Sequence, residues 1–180
     1  LTIQDQKLDE NTQAKMKIYL LSKFKKTLEG LKIARGEEGS KLEVIILKQL
    51  DGLDTLLKKA ANTDGARLDI MKRKMSEKVN SLLDDDNRLS SERLEQEVAL
   101  FSVKVDIREE IDRLSAHLEN ARDLITKGGG VGRSLDFLCQ ELNRETNTIC
   151  SKSGDVELTR IGLSMKTLVD QFREQIQNIE

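Results

Sequence analysis

His117 is the only histidine in the 180-residue chain, so any imidazole serving near neutral pH as a base or ligand is this one. Stepping back four, seven and eleven residues along a helix reaches Arg113, Glu110 and Asp106, which puts four side chains in one line. A carboxylate in such a line raises the basicity of the imidazole and fixes its tautomer, and a neighbouring arginine can hold a phosphate oxygen. The same spacing also builds a ladder of helix-surface ion pairs, each contributing about 0.3–0.5 kcal/mol. Spacing alone leaves both readings open.

A second concentration of polar groups runs from Gly132 to Lys152. Leu135, Leu138, Leu142 and Ile149 recur at the three-and-four spacing of a buried seam, and Arg133, Asp136, Gln140, Asn143 and Asn147 recur at the same spacing beside it. Polar side chains at the edge of a buried seam are partly desolvated and must bond one another, a metal or a ligand. Glu141 and Gln140 stand three and four residues before Arg144, so a self-satisfied helix surface accounts for them without a substrate. Asn143 and Asn147 are poor helix formers, and their pairing suggests a specific hydrogen-bonding need at a ligand, a neighbouring helix or a subunit contact. Cys139 flanks the seam with no histidine near it in sequence, which favours core packing over nucleophilic chemistry. Cys139 and Cys150 are roughly 16 Å apart on a continuous helix, beyond the reach of a disulfide, and are read as reduced thiols.

The composition dictates what positions these groups. With no Pro, no Trp, 3% aromatic and 34% charged residues, the chain suits long helices with aliphatic faces. The expected class is all-α, with long antiparallel amphipathic helices forming an extended arm and a C-terminal helical bundle. The expected division is a helical arm or hairpin over 1–89 and a C-terminal domain over 90–180.

Within the arm, a helix runs from Asp9 to about Ala61, with Gly36 and Gly39 either kinking or thinning it. Asn62-Thr63-Asp64-Gly65 reads as a stop, followed by an amphipathic helix through Leu68, Met71, Met75, Val79 and Leu82. Asp84-Asp85-Asp86-Asn87 hints at a calcium loop, but Arg88 stands where such a loop needs an acid or amide and no Gly follows, so a solvated turn is preferred.

The next helix is expected to run from a Ser90 or Ser91 cap to about Lys127, with Leu100, Val103, Ile107, Ile111, Leu114, Leu118, Ala121 and Ile125 as its seam. Gly128-Gly129-Gly130-Val131-Gly132 follows a helix and precedes Arg133 where a phosphate loop needs Lys, so it reads as a helix-to-helix turn. Ser153-Gly154-Asp155 makes another turn before a last helix with Leu158, Ile161, Met165, Leu168, Phe172 and Ile179 on one face. No apolar run approaches the roughly 20 residues that span a bilayer, and no secretory leader is recognisable, so a soluble, cytoplasmic protein is expected.

The C-terminal half resembles the YicC/YloC family of bacterial endoribonucleases. The likeness is carried by Asp106-Ile107-x-Glu109-Glu110-x-x-Arg113-Leu114-x-x-His117 and by Val131-Gly132-Arg133-x-Leu135-Asp136-Phe137-x-x-Gln140-Glu141-x-Asn143-Arg144-Glu145-x-Asn147-Thr148. Ser151-Lys152 and the closing Arg173-Glu174-Gln175-Ile176-Gln177-Asn178-Ile179-Glu180 add to it. Arg35-x-x-Glu38-Gly39 and Arg93-Leu94-x-Gln96-Glu97 are weaker signatures. Two departures stand out: Ser164 where the family usually has Glu, and Cys150 where it usually has a small residue.

The resemblance implies a metal-dependent endonuclease that cuts single-stranded RNA and works as a homo-oligomer, hexameric in the full-length family. It also implies that the chain is the C-terminal part of a longer protein, whose activity in isolation is an open question.

Charge adds a constraint. Residues 1–90 carry 18 Lys and Arg against 15 Asp and Glu, whereas residues 91–180 carry 12 against 17. An RNA phosphate beside Asp106, Glu109, Glu110, Asp136, Glu141 and Glu145 would be repelled unless a divalent cation, Mg²⁺ or Mn²⁺, intervened. The expected metal-binding residues are Glu110, Glu141, Glu145 and Asp136; the catalytic group is His117, as base or ligand, with Glu110 and Glu141. The expected RNA contacts are Arg113, Arg133, Arg144 and Lys152. A metal-free route, in which a base deprotonates the ribose 2′-hydroxyl, stays open beside the hydrolytic one. The competing functional classes are a non-catalytic helical RNA-binding or oligomerisation module and a generic coiled-coil scaffold. Tyr19, Phe24, Phe101, Phe137 and Phe172 mostly fall on seams, which leaves few aromatics for stacking.

Overall fold

The computed structural model describes residues 9–82 and 91–179. Every described element is helical: α1 Glu10–Ala61, a 3-10 turn at Asp64–Ala66, α2 Leu68–Leu82, α3 Ser91–Val105, α4 Arg108–Lys127, α5 Gly132–Lys152 and α6 Val156–Ile176. The all-α expectation therefore holds. Asp84-Asp85-Asp86-Asn87 lies outside the described residues.

α1 is continuous through Gly36 and Gly39, where no proline removes a backbone donor and nothing lies near either glycine. The chain divides into two compact units, 1–42 and 43–180, and the division falls inside α1. The physical reason is burial. Residues 9–41 are all exposed, whereas Ile46, Leu50, Leu53, Leu57 and Ala60 of the same helix are buried in the second unit.

In that second unit, Leu114 and Leu118 of α4, Leu135, Leu142 and Ile149 of α5, and Leu158, Met165 and Phe172 of α6 complete the core. Each such side chain contributes roughly 1.5–3 kcal/mol by leaving water. α5 packs between α4 and α6. It runs antiparallel to α6: a Cβ on Gly132 would meet the Ile179 carbonyl oxygen at 2.8 Å, and one on Gly162 would meet Cys150 Sγ at 2.6 Å. The α4-to-α5 turn uses Gly128 and Gly129 at φ 65° and 84°, a backbone region that disfavours side chains. At the other end of α5, Asp155 caps α6 by accepting from the Glu157 and Leu158 amides.

The uninterrupted helix expected up to Lys127 is two helices, broken at Asp106 and Ile107. Asp106 Oδ1 accepts from the Arg108 amide at 3.0 Å, a local bond that competes with helix continuation. The Asp106 backbone carbonyl accepts instead from Lys152 Nζ of α5 at 2.9 Å. The seam changes accordingly. Leu100 and Val103 are exposed, and among the described side chains of α3 the buried ones are Val98, Ser102 and Val105.

Candidate functional site

The α4–α5 face assembles most of the groups that the sequence singles out. Glu110 is 5% exposed, yet its Oε1 lies 2.7 Å from Lys152 Nζ while its Oε2 is buried with no hydrogen-bond partner. One turn along α4, Arg113 is paired with Glu109 on its own helix and reaches Glu145 Oε1 of α5 at 3.4 Å. Glu145 is 3% exposed. Moving from Arg113 back to Glu110 moves the partner forward from Glu145 to Lys152, so the helices are antiparallel. The sequence places both carboxylates inward because each sits one step from the leucine stripe of its helix, at Leu114 and Leu142.

Two groups of this face have their ionisation shifted by their neighbours. The Arg108 guanidinium hydrogen-bonded to Asp106 holds that carboxyl below the ordinary carboxylate range, with Lys152 adding to the effect. Glu109, and then Glu145, hold the Arg113 guanidinium firmly protonated. Across the helix pair, the buried Glu110 and Glu145 side chains meet Lys152 and Arg113.

His117 is half-buried one turn beyond Arg113, and Glu141 is half-buried one turn before Glu145. In an antiparallel pair this continues the same ladder by one rung. Neither side chain has a hydrogen bond or ion pair among the described residues. The Glu141–Arg144 and Gln140–Arg144 pairings offered by spacing do not form. Gln140 Nε2 donates to Asp136 instead, at 3.1 Å.

Lys152 is turned inward onto Glu110 and the Asp106 carbonyl, which makes it a positioning residue before it is anything else. Arg133 and Arg144 are exposed and unpaired among the described residues. Asp136 lies on the other side of α5, 3.7 Å from Arg173 of α6 and apart from the Glu110–Glu145 ladder. The amides of that side are self-bonded: Asn147 donates to Asn143 at 2.6 Å, and Asn143 reaches Asp170 at 3.4 Å. Sequence reasoning missed Arg108, Asp170 and Arg173 as partners. Only the acidic neighbour two residues before Arg108 could have signalled the first; the others are contacts between helices.

Cys139 is buried, and burial, reinforced by Asp136, pushes its thiol up to about 12. Such a thiol packs and does not attack. An open hollow of about 640 Å³ lies elsewhere, lined by Lys58, Lys59, Asn62 and Arg160 among others, and it holds none of the predicted residues. The predicted residues lie along helix faces and not in this hollow.

A divalent cation finds a partial fit. Glu110 offers an unpartnered carboxylate oxygen one rung from the Arg113–Glu145 pair, but no group of three His, Cys, Asp or Glu donors comes together among the described residues. Mg²⁺ commonly takes only one or two carboxylates and completes its shell with water and substrate phosphate, so two carboxylates suit that mode and not a closed protein cage.

Together, the fold and this face define an all-α protein whose polar chemistry is gathered on the two helices before α6. The "Endoribonuclease YicC-like, C-terminal" family model matches residues 60–180, and the chain belongs to that family. It is 38% identical over 177 residues to a "Probable endoribonuclease YicC" of Haemophilus influenzae, covering 98% of this chain and 59% of that protein. A "Probable endoribonuclease YicC" of Clostridioides difficile is 38% identical over 150 residues, covering 83% of this chain and 51% of its own length. The chain thus spans a little over half of these relatives. No helix among the described residues is long and apolar enough to cross a membrane.

Proposed function

We propose that this chain carries the site-bearing part of an endoribonuclease that cleaves single-stranded RNA with the help of Mg²⁺ or Mn²⁺. The observation that supports it is the buried Glu110 side chain with one oxygen that no group bonds, one rung from the buried Glu145 on the α4–α5 face. Glu110 and Glu145 are the residues that would hold the cation, with Glu141 as a further donor. When bound, it would polarise the phosphoryl oxygen and lower the pKa of attacking water. His117 is assigned the proton transfer, since no partner among the described residues holds either ring nitrogen. Arg133 and Arg144 are the available phosphate contacts, and Arg113 orients Glu145.

Cleavage of end-labelled single-stranded RNA, with EDTA or with added Mn²⁺, tests this directly. A 5′-phosphate product that requires the cation supports hydrolysis; a 2′,3′-cyclic phosphate that persists in EDTA replaces it with attack by the 2′-hydroxyl.

One observation favours a second reading, a non-catalytic RNA-binding module: the described residues hold no three-donor group. RNA bound but uncut under both conditions, by this chain and by a full-length relative, selects it. Homo-oligomerisation belongs to the same proposal and has support in residues 9–42, where Leu20, Leu21, Phe24, Leu28 and Leu31 are all exposed. Size-exclusion chromatography with light scattering reads the assembly.

A further inference from the structure

The outward ridge of α5 carries Arg133, Phe137, Gln140, Arg144, Thr148 and Ser151, three or four residues apart and so one above another. Phe137 is 59% exposed. The sequence pattern groups it with aromatics that mostly fall on seams, but Leu135, Leu138 and Leu142 are the buried residues and Phe137 points away from them. Within residues 43–179, the other aromatic side chains are Phe101, half-buried, and Phe172, fully buried, so Phe137 is the one exposed ring of the described residues there.

Its neighbours are cations. Arg133 lies one turn before it and Arg144 two turns after it, roughly 6 Å and 10 Å along the helix axis. Both are exposed and unpaired among the described residues. The ridge adjoins Glu141, which sits on the flank leading to the Glu110–Glu145 ladder.

We propose that Phe137 is a stacking platform for one base of the RNA strand, with Arg133 and Arg144 holding phosphates on either side of it. The inference rests on the RNA-cleaving reading above and supplies what that reading lacks, a contact to the base instead of the backbone. A ring flanked by unpaired arginines matches a polyanion with π-faces: stacking is sequence-tolerant, and the arginines supply the salt-dependent part of the affinity. A protein partner would more often be met by an apolar cluster around the ring, and here the ridge neighbours are Arg, Gln, Thr and Ser. Stacking one ridge away from Glu141 would lay the adjoining phosphate toward the carboxylate ladder. Phe137 is thus a positioning residue that sets which nucleotide faces the site.

The chain has no tryptophan, so Phe137→Trp introduces a single indole as a reporter. Single-stranded oligoadenylate and an abasic oligoribonucleotide of equal length are titrated into this variant, and anisotropy gives affinities for wild type, Phe137→Ala and Phe137→Leu. Stacking predicts that oligoadenylate quenches the indole and the abasic strand does not. It also predicts that both the Ala and Leu variants bind oligoadenylate about 5- to 150-fold more weakly at an unchanged melting temperature. Arg133→Ala and Arg144→Ala should each lower the log–log salt slope by about 0.7.

Wild-type affinity in Phe137→Leu, or an indole unmoved by a strand that binds, overturns stacking and leaves RNA cleavage standing. Emission that tracks protein concentration and not RNA makes the ridge a subunit contact and overturns it as well. Failure of the wild type to bind or cut any RNA removes the underlying reading, and this inference with it.

Discussion

Lys152 Nζ lies 2.7 Å from Glu110 Oε1 and 2.9 Å from the Asp106 carbonyl, so the last residue of α5 ties down both the start of α4 and the break before it. The pair is 26% and 7% exposed at its two side chains, which makes it a largely desolvated ion pair. Lys152→Ala leaves Glu110 buried with neither oxygen bonded and is expected to cost about 3–5 kcal/mol. Replacing both partners, as Glu110→Gln with Lys152→Met, should recover much of that loss. Urea denaturation of the two single variants and the double variant measures it; additive losses would mean that the two residues do not act as a pair.

Asp106 gives the α3–α4 junction an acid sensitivity. Its folded-state carboxyl is held below the ordinary value of 3.8, chiefly by the Arg108 hydrogen bond. A depressed carboxylate contributes its stability above the unfolded value and loses it as the pH falls through the folded one. The stability difference between wild type and Asp106→Asn should therefore be constant above about pH 5 and shrink progressively below pH 4. Denaturation midpoints across pH 2.5–7 test this. A difference that does not change with pH would show that the carboxylate charge is irrelevant there.

Gly162 and Cys150 are matched across the α5–α6 contact. A methyl on Gly162 would stand 2.6 Å from Cys150 Sγ, so Gly162→Ala should destabilise: overpacking costs about 1–3 kcal/mol and exceeds the roughly 1 kcal/mol gained in helix propensity. With Cys150→Ala the sulfur is gone, and the same Gly162→Ala should become neutral or stabilising. Thermal unfolding would show this sign reversal.

Burial makes the two thiols unequal. Cys139 is pushed up to about 12, and the half-buried Cys150 is raised to a lesser degree by the same cause. At pH 8, a thiol reagent should label Cys150 slowly and Cys139 only on unfolding. Mass spectrometry of partially labelled protein assigns the site, and equal labelling rates would contradict the packing.

The helices were legible where one apolar stripe decides the outcome. Leu135, Leu138, Leu142 and Ile149 predict α5, and all four are buried. The break at Asp106 was not legible, because Val103, Ile107 and Ile111 keep helical phase across it. Two bonds meet there, the local one from the Arg108 amide to the Asp106 carboxylate and one from a lysine 46 residues away to the Asp106 carbonyl, and the second has no local signal. The same limit applies to the site. Glu110 and Glu145 could be singled out by type and spacing, but that Lys152 faces inward and Phe137 outward depends on which side of each stripe meets a neighbouring helix. Local period cannot supply that.

His117 gives the sharpest test of chemistry at the α4–α5 face. It is half-buried, one turn from Arg113, and no group among the described residues bonds to it, so its removal should not disturb the fold. If the imidazole moves a proton, His117→Ala should lower single-turnover cleavage about 10²- to 10⁴-fold, with RNA affinity and melting temperature unchanged. His117→Asn keeps a polar side chain of similar reach without a titrating proton, and should be equally impaired. If it instead restores most of the rate, the residue acts through hydrogen bonding alone. A wild-type rate in both variants would move the proton transfer to another group, with Glu141 next along the same ladder, and Glu141→Gln is the variant that then decides it.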